Sequence, residues 1–238
     1  MQILQGTGIN KAFGGRKAVD NVDFHVEQGE ILGLIGPNGA GKTTLFNLIS
    51  GAIQADSGTV TYKGTKISGL KPHKICRLGI ARTFQKAKNF PDMTVRENVL
   101  MGAVYGKKGV SEEEAEKKTD EIIRFVGLEQ YSEKLPTDIT LALQKRVEVA
   151  RALATEPEVL MLDEVMAGLN PTEVSEAMEL VEKIRGKGIT IIMIEHVMKA
   201  IMTMCDRIIV LHHGQKIEEG KPEDISNSKI VIEVYLGE

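Results

Sequence analysis

The chain has 238 residues, 42% of them hydrophobic and 26% charged, with a formal net charge of −3. That is enough chain for one large core, or a core with a subdomain. The near-neutral balance excludes a general electrostatic drive toward nucleic acid while leaving local basic patches open.

In chain order, Met1 to Gln5 has no basic segment leading into a long apolar run, so no signal peptide is expected. Ala18 to Val26 and Gly58 to Tyr62, the latter closed by the Lys63-Gly64 turn, read as short antiparallel strands beside the core. Residues 31–35 (Ile-Leu-Gly-Leu-Ile) read as a buried strand, followed by a glycine-rich loop and a helix from about Lys42 to Ser50. Residues 86–156 contain no convincing buried strand and are expected to be helical. Within them Ser111 to Glu114 forms a capping box for a helix that stops near Gly127. Val159 to Leu162, Ile189 to Ile194 and Arg207 to Leu211 read as further strands, apolar enough to be covered on both faces. Between the first two of these, Asn170-Pro171-Thr172-Glu173 opens a helix that Gly186 and Gly188 end after Arg185. The apolar runs fall short of the roughly 20 residues that a membrane span needs, so a membrane role is expected only through a partner. Cys76 and Cys205 resemble no disulfide framework and suit a reducing compartment.

Two segments carry chemistry. Gly36-Pro37-Asn38-Gly39-Ala40-Gly41-Lys42-Thr43-Thr44 contains the phosphate loop G-x-x-x-x-G-K-[ST]. Glycines let backbone N–H groups wrap phosphates, Lys42 reaches the β- and γ-phosphates, Thr43 offers a hydroxyl to Mg²⁺, and the helix N-terminus adds its dipole. Its place between a buried strand and a helix is the context that gives the pattern meaning. The second segment, Leu160-Met161-Leu162-Asp163-Glu164, ends a buried strand on two acids, which is costly without a cation or water. A Mg²⁺ on the nucleotide supplies that cation. Asp163 is then its ligand, and Glu164 the general base that polarises the attacking water.

With these motifs placed, the chain resembles the ATP-binding cassette family along essentially its whole length. The resemblance implies an α/β fold: a P-loop, RecA-like core with a mostly parallel sheet, an antiparallel β subdomain and an all-helical insertion. It divides a single unit of residues 1–238 into core at 1–85 and 157–238 and helical subdomain at 86–156. Gln85, in Ala81-Arg82-Thr83-Phe84-Gln85, matches the glutamine loop that senses Mg²⁺ and the attacking water. His196 matches the switch histidine at the γ-phosphate, in keeping with its place at the carboxyl end of a strand. Phe13 matches the aromatic that stacks on adenine, and Ala167-Gly168-Leu169-Asn170 the loop that crosses between subunits, with Gly168 and Asn170 as its contacts.

Two places depart from the family pattern. The signature segment, usually Leu-Ser-x-Gly-Gln, falls on Ile139-Thr140-Leu141-Ala142-Leu143, where only the Thr140 hydroxyl keeps its character. Ala142 adds a methyl where glycine allows close approach to a γ-phosphate, Leu143 replaces an amide, and Gln144 is one place late to substitute. Loss of a hydrogen bond to a charged group costs about 1.5–3 kcal/mol, so a weakened trans site is expected. Val165 stands where the family has proline after the catalytic glutamate.

The function implied is ATP hydrolysis that energises a membrane transporter, with ATP and Mg²⁺ as cofactors. The expected partners are a second cassette, identical or different, and transmembrane permease subunits, with no nucleic acid and no direct membrane insertion. The expected location is the cytoplasm, peripheral to the inner face of the cell membrane. Ala81 to Gln85, Ala167 to Pro171 and the ending Val234 to Glu238 are closest to ATPases of branched-chain amino acid importers. A lipopolysaccharide-export ATPase is the alternative within transport, against which Asn170 argues. A binding module that does not turn over as a homodimer is the alternative outside it, opposed by Lys42, Asp163, Glu164 and His196. A soluble cassette acting on ribosomes or DNA is disfavoured, since such proteins carry two cassettes or a long insertion. His212-His213 reads as a turn with the rings on opposite faces of a strand. Met193, Met198, Met202 and Met204 read as core filler, and Lys107-Lys108 with Glu112 to Glu114 as a solvated loop and helix start.

Overall fold

The structure, a computed structural model, describes residues 1–84, 89–107 and 109–236. It holds two sheets. The larger has six strands in the order β10-β9-β3-β8-β7-β6, formed by β3 (Ile31–Ile35), β6 (Ile80–Arg82), β7 (Val159–Asp163), β8 (Thr190–Ile194), β9 (Arg207–His212) and β10 (Gln215–Gly220). All neighbours pair in parallel except β10, which runs antiparallel on β9. The smaller sheet is antiparallel, in the order β2-β1-β4-β5, from β1 (Gln2–Phe13), β2 (Arg16–Glu27), β4 (Ser57–Tyr62) and β5 (Thr65–Lys66).

The alternation of side chains across a strand divides the interior in two. On one face of the large sheet, Ile31, Ile35, Leu160, Leu162, Ile191, Met193, Ile208 and Val210 pack against the helices. On the other, Leu32, Leu34, Met161, Ile192, Ile194, Ile209 and Leu211 join α1 (Lys42–Ile49) and the small sheet. Strands buried on both faces can be apolar at every position, which is why these were legible.

After α2 (Pro72–Leu78) and β6, the described chain runs through α3 (Val95–Gly106), α4 (Glu112–Val126) and α5 (Leu141–Ala154) with no strand before β7. Thr94 and Ser111 close capping boxes on α3 and α4, and Gly127 ends α4 in the left-handed region at φ 72°. Beyond β7 come α6 (Pro171–Arg185), α7 (Met198–Met204), α8 (Pro222–Asn227) and α9 (Lys229–Leu236). No described helix is long and apolar enough to cross a membrane.

The turn expected at His212-His213 is present: β9 ends at His212, and His213 leaves it with φ 46°, which brings the two rings within 4.0 Å instead of onto opposite faces of a strand. One expectation needs correction. Met193 and Met204 are buried, but Met198 at the start of α7 is exposed, so it fills no core.

Candidate active site

The phosphate loop is held open by its surroundings. At Gly36 (φ 149°) a Cβ would overlap the Leu211 carbonyl oxygen, and at Gly41 (φ 107°) it would overlap that of Ala18, so both positions demand glycine. The loop is tied down further by the β9–β10 turn. Gly214 N–H donates to the Ala40 carbonyl at 3.0 Å, and the Gly214 carbonyl accepts from Asp20 N–H at 2.8 Å. The result is a cleft of about 590 Å³ lined by Asn38, Gly39, Ala40, Gly41, Lys42, Thr43 and Thr44, facing Glu164. Lys42 Nζ donates to the carbonyls of Gly36 (2.6 Å) and Pro37 (3.0 Å). Burial pulls its pKa down, opposed by Glu164 and Asp163. Backbone donors, a helix N-terminus and a buried ammonium in one concave loop form a cradle for phosphates.

Asp163 and Glu164 leave β7 toward this cleft and have unlike surroundings. The Asp163 side chain is fully buried; Arg82 donates to its Oδ2 at 3.1 Å, and its own N–H donates to Thr83 Oγ1 at 3.0 Å. Oδ1 has no partner among the described residues. Burial raises the Asp163 pKa, and Arg82 opposes the rise. An unpartnered buried carboxylate oxygen beside a threonine-bearing phosphate loop is the donor type that hard divalent cations take, so the residues fit Mg²⁺. Glu164 sits at φ 54°, in the left-handed region, with its N–H on the Ile194 carbonyl at 2.8 Å. That register brings it to the end of β8, where His196 Nε2 meets Glu164 Oε1 at 3.1 Å. A carboxylate and an imidazole in contact at the mouth of a phosphate cleft can polarise a water and hold a proton.

The sequence model of the ABC transporter family matches residues 19–167. LivG of Salmonella typhimurium, a high-affinity branched-chain amino acid transport ATP-binding protein, is 39% identical over 99% of this chain and 98% of its own length. LptB of Haemophilus influenzae, the ATP-binding protein of a lipopolysaccharide export system, is 34% identical over 100% of this chain and 98% of its own. Among solved structures, a nucleotide-free ATP-binding cassette from an ABC transporter superposes with a TM-score of 0.90 at 33% identity, covering 100% of both chains.

The chain belongs to the ABC transporter ATP-binding family. It is an ATPase with the P-loop α/β cassette fold expected from its sequence.

In this cassette the remaining predicted residues are more dispersed. Phe13 ends β1 on the hairpin that also brings Arg16 to Ala18 into the cleft; its ring is exposed, with Lys11 Nζ 5.4 Å from the centroid. Gln85 lies outside the described residues. Thr140 caps α5, its Oγ1 accepting from Leu143 N–H at 3.4 Å. Ala142 and Leu143 are half-buried, and Gln144 does not replace the missing amide: its Nε2 turns back to the Ile139 carbonyl at 3.1 Å. Leu141 is exposed and rests beside Gly168, which has φ 78°. Asn170 caps α6, its Oδ1 accepting from Thr172 and Glu173 N–H, both at 3.0 Å.

Sequence reasoning missed Arg82, Thr83, Lys145 and Glu195, and it gave Arg16, Lys17 and His213 no place in the cleft they line. Arg82 stood in a quoted motif, but its target lies across the β6–β7 pair, and β6 is only three residues long. Glu195 was detectable as a second acid at the end of an apolar strand. It is buried, with Oε1 accepting from Met166 N–H at 2.8 Å.

Proposed function

We propose that this cassette hydrolyses ATP with Glu164 as general base and His196 as its partner at the γ-phosphate. The observation that carries the reading is the 3.1 Å contact between His196 Nε2 and Glu164 Oε1 at the cleft that Lys42 and the phosphate loop line. Lys42 would exchange its bonds to Gly36 and Pro37 for the β- and γ-phosphates. The backbone of Gly39 to Thr44 would hold the remaining charge. Glu164 would take a proton from the attacking water, and His196 would keep the carboxylate aimed and bond the terminal phosphate. Mg²⁺, held by Thr43 and Asp163, would neutralise charge on the phosphate oxygens. Gln85 keeps the role the family resemblance gives it, beside that ion and the water. Phe13 would stack on adenine.

The transporter we propose imports branched-chain amino acids. The 39% identity to LivG over nearly the full chain supports this, and the 34% to LptB makes lipopolysaccharide export the weaker reading. Energising transport requires permease subunits and a second cassette, with Gly168 and Asn170 at the cassette–cassette contact. The altered signature favours a different cassette as that partner. Ala142, at the start of α5, puts a methyl where the family offers glycine to the opposite ATP, and Leu143 puts an apolar side chain in place of the amide.

The test is steady-state ATP hydrolysis on the natural chain, Glu164→Gln and His196→Ala, with and without co-expressed permease. Loss of turnover in Glu164→Gln with ATP binding kept is the expected result; retained turnover would remove Glu164 as the base. A chain that never co-purifies with a membrane subunit would overturn the transport assignment.

A further inference from the structure

A buried ammonium is costly unless its donors are taken. Lys145 lies in the first turns of α5, buried, and its Nζ donates to two backbone carbonyls at 2.7 Å, those of Glu164 and Ala167. These are the two ends of the turn that follows the acid pair, a turn closed by Ala167 N–H on the Glu164 carbonyl at 3.2 Å. Between them, Met166 N–H is held by the buried Glu195. The turn is therefore gripped from α5 at both ends and from the end of β8 in the middle.

Such a grip has something to hold. Glu164 is one of five non-glycine residues with positive φ among those described, and left-handed backbone at a carboxylate persists only where the surroundings over-determine it. Val165 gives no ring to fix the next φ. Burial lowers the Lys145 pKa and lifts that of Glu195 to about 7, and each charge opposes the shift of the other. Hydrogen bonds in so poorly solvated a place are strong, and a missing one is expensive.

We propose that Lys145 is a positioning residue for hydrolysis: from α5 it clamps both ends of the 164–167 turn and so aims the Glu164 carboxylate at His196 and the cleft, a role that rests on Glu164 acting as the base. Lys145 does not line the cleft, and its Nζ is spent on the Glu164 and Ala167 carbonyls, so its effect is on the rate of the step rather than on nucleotide binding. It also ties the helical segment to the acid pair, because the same helix is capped by Thr140 in the segment that matches the signature.

The test uses the full chain as Lys145→Met and Lys145→Arg, read in two ways. In Lys145→Met, kcat should fall on the order of 10- to 100-fold, the size of a misaimed catalytic group. Affinity for a fluorescent ATP analogue should be unchanged. Backbone amide exchange should accelerate at residues 165–168 and stay the same in the phosphate loop. Lys145→Arg, which keeps two donors, should restore slow exchange and most of the rate. Unchanged exchange at 165–168 in Lys145→Met would overturn the clamp, as would equal losses of rate and ATP affinity. Where the chain alone has no measurable turnover, the exchange result decides. Turnover retained in Glu164→Gln would instead count against the base, leaving the exchange test of the clamp intact.

Discussion

Glu195 and Asp163 show how differently two buried acids can be treated by one fold. Asp163 is met by Arg82, whereas Glu195 has a backbone N–H on one oxygen and no partner on the other among the described residues. Desolvation dominates at Glu195, raising its pKa from 4.5 to about 7, with Lys145 opposing and Glu164 reinforcing. The sign follows from linkage. The folded state holds this proton more tightly, so the resulting stability is fully present below the unfolded pKa and is lost as pH rises through the folded one. Relative to Glu195→Gln, the natural chain should therefore lose stability between about pH 4.5 and 7, by about 3 kcal/mol from the size of the shift, and then level off. Urea unfolding of both proteins across that range checks it; parallel curves would show that Glu195 titrates normally. This residue escaped the sequence reading because burial of a carboxylate depends on what packs above it. Lys145 and the 164–167 turn are remote in sequence from Glu195.

At the scale of elements, what could be read from the chain was what the interior makes periodic. β3, β7 and β8 are buried at every residue, and their apolar runs marked them within a residue or so. β10 carries only polar and glycine residues around Ile217, and β1 breaks its own alternation with register shifts at Gly6/Ile9 and Ile9/Lys11; neither has a pattern that identifies a strand. Caps were legible because they act locally. Asn170 illustrates this: its side chain accepts two backbone N–H bonds from the first turn of the helix that it was expected to open. Asn170→Ala should cost about 1 kcal/mol and Asn170→Asp close to nothing, measured by chemical denaturation. Unchanged stability in Asn170→Ala together with altered ATP-dependent association would assign the side chain to the subunit contact instead.

For the whole molecule, the phosphate loop, the acid pair and His196 were legible as a set because each ends a strand of one parallel sheet, and ligands collect at those carboxyl ends. Whether a second copy can complete the site was not legible, since that depends on a surface no single chain forms. In the Glu164→Gln background, which should hold ATP unhydrolysed if Glu164 is the base, the natural signature should give little dimer by gel filtration in Mg-ATP. Ala142→Gly with Leu143→Gln should strengthen association by one to two orders of magnitude, the worth of a recovered bond to a charged group. Equal dimerisation of both would show that the α5 N-terminus suffices without the amide.

The bond from Gly214 to Ala40 carries one more consequence, for the order in which the protein comes into being. The phosphate loop is synthesised well before the turn that pins it, which lies far downstream in the sequence. β3, from which the loop springs, likewise lies between β8 and β9. Contacts so distant in sequence form late. A ribosome-bound chain would thus carry its phosphate-binding segment long before it could use it, and nucleotide would guard the finished cassette rather than guide the growing one.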